Sequence, residues 1–293
     1  MRNKILLVFI FLFFGLVFAT YEETTTHARQ LMDKGQYLQA TEYLLQAEKN
    51  VPKTKAMGLY LDLGICYRKI NNFDKAIIYY KKASKLSPKM SDIDYNIGLA
   101  YYYKGELKEA IGYCKKAINS SPNYAEAYGA QAMAYRDLGL TDNAIEILKE
   151  GLKQNPNYPG GYCILGSCFS DKGWHTKAIE MYKRAIILRP NYASAYYDLG
   201  VVYNKLTMYL EAIKAYKMAI KINNNDSDAY YNLGISQMNL GNYKEAQKSF
   251  KNAIIIKSNY KSSYDQLIIC FEKNKMSIEK KKWEKIRAEK FGK

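Results

Sequence analysis

Histidine, the side chain most often used for acid–base and metal chemistry near neutral pH, is scarce in this sequence. The chain contains two histidines, His27 and His175, and neither has neighbours at the spacing of a metal site or a catalytic triad. The glycines match no phosphate-binding motif. We therefore predict no catalytic residue, cofactor or metal, and we expect a protein that is not an enzyme.

Cysteine is the other reactive residue type. The five cysteines are Cys66, Cys114, Cys163, Cys168 and Cys270. Three of them, at positions 66, 168 and 270, share one phase of the repeat described below. This regularity favours packing as small apolar residues over the alternative, a disulfide framework. We expect buried free thiols.

The elements that carry these residues repeat along the chain. Five prolines follow one another at spacings of 36, 34, 34 and 34 residues: Pro52, Pro88, Pro122, Pro156 and Pro190. Aligned on this period, the chain divides into seven segments: 21–54, 57–90, 91–124, 125–158, 159–192, 193–226 and 227–260. Their twentieth position is always alanine, and their eighth is always alanine or glycine. A fixed period of this length is typical of stacked structural repeats.

The repeated small residues predict two helices in each segment. Small residues at positions eight and twenty let two helix backbones approach closely, because a larger side chain would overpack the contact. A residue that tolerates a left-handed conformation is expected to end the first helix near position fifteen. Such residues occur at Gly35, Asn71, Gly105, Gly139, Gly173 and Gly241.

The larger residues of each segment carry a resemblance to a known family. Tyr60, Leu63, Gly64 and Tyr67 stand at the offsets of the tetratricopeptide repeat (TPR) signature, and later segments repeat the pattern. The sequence therefore resembles the TPR family. The resemblance implies an all-α, right-handed superhelical solenoid of about seven helix-turn-helix repeats, ending in a C-terminal capping helix. It also implies binding of a protein or peptide in the concave groove that the first helices line.

The resemblance also maps the outward positions of the first helices onto this chain. We expect the groove to contain Leu61, Ile65, Arg68, Tyr95, Leu99, Tyr102, Met133, Arg136, Tyr197, Val201, Asn204, Tyr231, Ile235 and Met238. An exposed apolar and aromatic stripe of this kind is typical of a binding surface. The alternative is that these residues pack between adjacent first helices. Asn96 and Asn232 hint at an extended peptide ligand, and a local hydrogen bond within the helix is the alternative for them.

The two ends of the chain differ from the array at 20–272, which includes a half repeat at 261–272. Residues 1–19 have two positive charges and then the apolar run Ile5–Ala19, which is typical of a secretory signal peptide. We expect export, to the periplasm or cell envelope if the source is bacterial, with an uncleaved membrane anchor as the alternative. Residues 273–293 form a basic tail, which we expect to be helical.

Positive charge dominates the chain, with a formal net charge of +16. The basic tail contains nine of the Lys and Arg residues against three Glu. It is expected to cover the last repeat, and attraction to an anionic membrane surface or an acidic partner is the alternative. No nucleic-acid-binding module is present, so nucleic acid is not an expected partner.

These features favour a non-enzymatic scaffold or assembly adaptor that works outside the cytosol and binds a partner segment in its groove. One alternative is a regulatory or substrate-presenting subunit of a separate enzyme, such as a glycosyltransferase. Another is a peripheral membrane-surface protein that docks through its basic tail. The partner's identity and the oligomeric state do not follow from the sequence.

Overall fold

The computed structural model describes residues 20–292. These residues form sixteen α-helices and no strand, which confirms the predicted all-α class. The predicted signal segment at 1–19 lies outside the described residues. The helices belong to two compact units, which divide between Leu140 and Thr141. Within 20–292 no helix is both long and apolar enough to cross a membrane.

The N-terminal unit contains seven helices in which each packs on the next along the chain. They are α1 (Tyr21–Asp33), α2 (Tyr37–Glu48), α3 (Ala56–Lys69), α4 (Phe73–Leu86), α5 (Ser91–Lys104), α6 (Leu107–Ser120) and α7 (Ala125–Asp137). Odd-numbered helices are the first helices of the repeats and even-numbered helices the second. Their shared core consists of alanine, leucine, isoleucine and tyrosine side chains.

The C-terminal unit contains nine helices, again packed in chain order. They are α8 (Thr141–Gln154), α9 (Pro159–Asp171), α10 (His175–Leu188), α11 (Ala193–Lys205), α12 (Tyr209–Ile222), α13 (Ser227–Asn239), α14 (Tyr243–Ile256), α15 (Lys261–Lys273) and α16 (Ser277–Phe291). Alternate helices also touch, so that α9 contacts α11, α11 contacts α13 and α13 contacts α15.

A left-handed residue follows every first helix in the described range. All six residues predicted for this role have positive φ, and Thr207 (φ 58°) and Lys275 (φ 57°) extend the series. At each turn two backbone N–H groups bond back to the helix end; for example, Met208 N donates to Tyr203 O at 2.9 Å. These bonds satisfy carbonyls that the helix leaves free. A β-branched threonine rarely adopts this conformation, so the sequence pattern missed Thr207.

In four of the seven repeats, the two helices meet where glycine stands at position eight and an aromatic ring at position twenty-four. A Cβ on Gly200 would lie 2.7 Å from the Tyr216 ring, and a Cβ on Gly234 would lie 2.7 Å from Phe250. The ring of Tyr80 covers Gly64 in the same way, and both aromatic residues Tyr80 and Tyr216 are fully buried. Because the ring occupies the space of a Cβ, glycine is required at this contact.

The basic tail forms α16 and packs on α15. Its Trp283 and Phe291 rings lie 5.8 Å and 5.2 Å from the ring of Tyr264, and Arg287 Nε donates to Asp265 Oδ1 at 2.9 Å. The segments that the sequence separates as a half repeat and a tail are therefore the two helices of one hairpin. Ile278 is 81% exposed on the outer side of α16.

The glycine contact can be tested by adding one methyl group. Gly64→Ala should lower the free energy of unfolding by roughly 1–3 kcal/mol, because the new Cβ would collide with the buried Tyr80 ring. Gly112→Ala is the matched control, since Gly112 lies within α6 and a Cβ there meets nothing within 4 Å. It should raise stability by roughly 0.5–1 kcal/mol. Urea unfolding followed by far-UV circular dichroism measures both, and equal effects would contradict the packing argument.

Candidate functional site

The predicted groove residues lie on first helices in both units. In the N-terminal unit α3 contains Leu61, Ile65 and Arg68 at helical spacing, so the three share one face of the helix. All three are half-buried. Helices α5 and α7 continue the set with the half-buried residues Tyr95, Tyr102, Met133 and Arg136. These seven residues define the first-helix face of the N-terminal unit.

Leu99 is the exception, and its assignment as a groove contact is wrong. It is only 9% exposed and packs with Cys114 and Ala130, while Tyr95 covers it from outside. The position has the right helical phase, but α5 and α7 lie close enough together to bury it. Leu99 therefore joins two repeats and does not face a partner.

The first-helix face of the C-terminal unit consists of half-buried residues on α11 and α13: Tyr197, Val201, Asn204, Tyr231, Ile235 and Met238. Side-chain hydrogen bonds join these two helices. Asn232 Nδ2 donates to Tyr197 OH at 3.0 Å, and Ser236 Oγ donates to Asn204 Oδ1 at 2.9 Å. Asn204 Nδ2 in turn donates to Tyr216 OH at 3.3 Å. The face is thus held in one arrangement by its own polar groups.

Similar bonds run between repeats elsewhere on the first helices. Tyr102 OH donates to Asp137 Oδ2 at 2.6 Å, and Lys205 Nζ donates to Ser170 Oγ at 3.3 Å. In both, the partners stand 35 residues apart. These bonds were not predicted, although complementary polar residues one repeat and one further position apart are visible in the sequence. The residues of the first-helix faces therefore pack between repeats and also keep exposed surface. Both interpretations, packing between first helices and a binding surface, have support.

Aromatic neighbours hold the tyrosines of the face. The ring of Tyr95 lies 5.1 Å from that of Tyr124, and the ring of Tyr231 lies 5.1 Å from that of Tyr260. Burial raises the pKa of both Tyr95 and Tyr197 to about 12. Their hydroxyl groups therefore remain protonated at neutral pH and can donate hydrogen bonds.

The two asparagines that hinted at an extended peptide make local hydrogen bonds. Asn96 Nδ2 donates to Asp92 O at 2.8 Å, and Asn232 Nδ2 donates to Asp228 O at 3.0 Å. Both bonds reach back one helical turn, which is the local alternative that the sequence left open. Asn232 also contacts Tyr197, so it contributes to the face through that ring.

The residues considered for chemistry are dispersed. All five cysteines are buried, in agreement with the expectation that they pack as small apolar residues. The ring of His27 lies 4.5 Å from that of Tyr43, while His175 begins α10. Within 20–292 no group of three or more His, Cys, Asp or Glu residues is arranged to hold a metal ion.

Comparison with protein families identifies the repeat. Models described as TPR repeat or tetratricopeptide repeat match residues 59–90, 101–160, 166–206, 209–241 and 227–260. Together these segments cover more than half of the chain. The protein belongs to the tetratricopeptide repeat family. A comparison with curated proteins found no match.

Solved structures share the fold. The crystal structure of the APC/C hetero-tetramer Cut9–Hcn1 aligns with a TM-score of 0.68 and 21% identity over 85% of this chain, which spans only 49% of that chain. A tetratricopeptide repeat protein from Parabacteroides merdae ATCC 43184 aligns with a TM-score of 0.65 and 19% identity, covering 86% of this chain and 98% of its own. MamA aligns with a TM-score of 0.50 and 34% identity over 55% of this chain and 95% of its own.

The buried thiols make stability sensitive to alkali. Burial raises the pKa of Cys66 and Cys270 from 9.0 to about 11, and that of Cys114 to about 12. Between these values the unfolded chain loses thiol protons that the folded chain keeps, so stability must fall as pH rises above about 9. We expect a loss on the order of 1 kcal/mol per thiol.

Urea unfolding across this pH window measures the loss. Cys114→Ala is the control, because it removes one titrating thiol and should make the decline with pH shallower. A stability that stays constant or rises over the window would contradict the assignment of buried, protonated thiols.

Proposed function

We propose that this protein is a non-enzymatic interaction scaffold or assembly adaptor that binds a segment of a partner protein along its first-helix faces. The observation that carries the proposal is the stripe of half-exposed aromatic and apolar side chains on the first helices of a TPR protein. Hydrogen bonds such as that from Asn232 to Tyr197 hold this stripe in place before a partner arrives. A preordered surface loses less conformational entropy on binding, which favours affinity.

The chemistry of the two faces suggests what the partner segment contains. Ile65, Met133, Ile235 and Met238 offer apolar surface, and methionine adapts to varied ligand shapes. In the N-terminal unit Arg68 adds positive charge. A partner segment with apolar anchors and acidic flanking residues would complement this combination.

The proposed place of action is outside the cytosol. The charged and apolar pattern of residues 1–19 supports export. The buried state of all five thiols is compatible with an oxidising compartment, since buried thiols do not meet an oxidant or a second thiol. An adaptor in such a space would hold parts of an envelope or secretion assembly together.

The contribution of the first-helix faces to binding can be measured apart from their contribution to folding if the changed residues make few hydrogen bonds within the protein. Alanine at Tyr102 or Tyr197 would break hydrogen bonds between repeats. Those changes would therefore lower both the stability of the fold and the affinity for a partner. The better variant combines Ile65→Ala, Met133→Ala and Met238→Ala. A matched control changes the exposed residues Ile78 and Ile255 of second helices, 54% and 78% exposed, to alanine.

Affinity capture from an envelope extract compares the unchanged protein, the face variant and the control as baits. The same partner should be retained by the unchanged and control baits and lost from the face variant, with circular dichroism unchanged in all three. Equal capture by all three baits would reject the first-helix faces as the binding surface.

A second candidate function is docking on an anionic membrane surface through α16. The observation in its favour is Ile278, 81% exposed beside the exposed residues Lys281, Lys282 and Lys285. An apolar side chain among lysines suits the headgroup region of a membrane. Trp283 does not support this function, because it packs against Tyr264.

Liposome flotation tests the membrane proposal. The triple variant Lys281→Glu, Lys282→Glu and Lys285→Glu should stop the protein from floating with phosphatidylserine vesicles at low salt. Glutamate at the exposed residues Lys149, Lys153 and Lys183 is the control, because it changes net charge equally at another place. If both triple variants lose flotation alike, the attraction depends on net charge and not on α16.

A further inference from the structure

A cavity of about 540 Å³ lies in the N-terminal unit at a repeat that departs from the commonest pattern. Position four of the repeat is tyrosine in five of the seven segments: Tyr60, Tyr128, Tyr162, Tyr196 and Tyr230. The third repeat has Asp94 instead, and Asp94 lines the cavity. Aspartate is much smaller than tyrosine, so this repeat leaves more space at position four than the repeats that have the ring.

The position-four tyrosine has a defined hydrogen bond where it is present. Tyr128 OH donates to Pro122 O at 3.1 Å, and Tyr264 OH donates to Ser258 O at 3.0 Å. In both, the acceptor is the carbonyl at position thirty-two of the preceding repeat. The equivalent residue before the third repeat is Pro88, which lines the cavity. The side chain of Asp94 is shorter than tyrosine and has no phenolic hydroxyl with which to make the same bond.

Comparable spaces in the C-terminal unit are smaller. Cavities of about 360 Å³ and 210 Å³ are lined by Tyr162 and Tyr196, the position-four tyrosines of their repeats. The cavity at Asp94 falls within the range of about 300–1,000 Å³ typical of ligand pockets. It therefore has room for a side chain that this repeat does not supply.

Positive charge surrounds the opening. Lys81, Lys85 and Lys116 line the cavity against the single carboxylate of Asp94, which is only 8% exposed. Lys81 Nζ donates to Tyr101 OH at 2.8 Å, and Lys116 Nζ lies 4.5 Å from the centre of the Tyr113 ring. Lys116 also interacts with the Asp94 carboxyl, and the three lysines still outnumber this single acidic group, so the cavity lining favours an anionic ligand.

We propose that this cavity, between α4, α5 and α6, binds a tyrosine side chain from an acidic segment of a partner protein. The incoming ring takes the place of the missing position-four tyrosine and donates its hydroxyl proton toward the Pro88 carbonyl. Acidic residues on either side of that tyrosine pair with Lys85 and Lys116 at the rim. The site uses none of the first-helix-face residues, so it is independent of the function proposed above.

A tyrosine peptide probes the site directly. The probe is an acetylated, amidated pentapeptide with tyrosine at its centre and glutamate at the other four places, titrated into the full chain by calorimetry. Replacing the central tyrosine with phenylalanine removes only the hydroxyl group and should weaken binding severalfold, since the hydrogen bond is lost. Replacing it with alanine should weaken binding by more than about tenfold.

The protein variant Asp94→Tyr restores the residue that five other repeats have. Its ring should fill the cavity, raise the melting temperature and weaken binding of the tyrosine peptide by more than about tenfold, because the space is taken. Asp94→Ala is the matched control: it removes the same carboxylate, leaves the cavity open and should bind the peptide at least as tightly as the unchanged protein.

Two results would overturn the proposal. One is equal binding of the tyrosine and alanine peptides, which would mean that the lysines attract acidic peptides without using the cavity. The other is an Asp94→Tyr protein that binds the tyrosine peptide as the unchanged protein does. The peptide series needs only the unchanged protein, so the test holds even if a variant folds poorly. If the first-helix-face variant loses its captured partner but still binds the tyrosine peptide, the first-helix faces and the cavity at Asp94 are separate binding sites.

Discussion

The close contact between the small residue at position eight and the side chain at position twenty-four is the constraint on which the rest of the structure depends. Where Tyr216 covers Gly200, the ring lies directly against the glycine backbone and leaves no room for a Cβ, which fixes the separation of the two helices. That separation sets how each first helix meets the first helix of the next repeat. Hydrogen bonds such as Asn232 to Tyr197, and the burial of Leu99, follow from the resulting spacing.

Much of the fold follows from single residues that recur at a fixed period. The alanine column, the position-eight glycines and the six left-handed turn residues predicted the helix pairs and their boundaries because each has a local steric reason. Thr207 and Lys275 could not be predicted in this way, since the repeat imposes a left-handed turn on residues that do not prefer it. The pairing of the tail as α16 with α15 depends on contacts of Trp283 and Phe291 that no local pattern reveals.

The sequence predicted which helices carry the residues of the candidate site, but it did not predict how deeply each of these residues is buried. Helical phase placed the face residues on the first helices, yet phase alone cannot distinguish Leu99, which is buried, from Tyr102, which keeps exposed surface. That distinction depends on the distance between neighbouring helices. Asp94 shows the opposite case: as a departure from a regular column it was visible in the sequence, but only the structure shows the cavity that results.

The regular spacing of the left-handed turns has a consequence for how such a chain changes in length. From Asn71 to Lys275 these turns recur every 34 residues. Gain or loss of one whole period between two turns brings equivalent side chains together again, so genetic duplication of a repeat alters the number of units without new packing problems. An insertion of one residue within a helix would instead rotate the residues beyond it by about 100° and misalign every following contact in that helix. The architecture therefore accommodates a change in length most easily in whole repeats, while single substitutions such as that at Asp94 make one repeat differ from another.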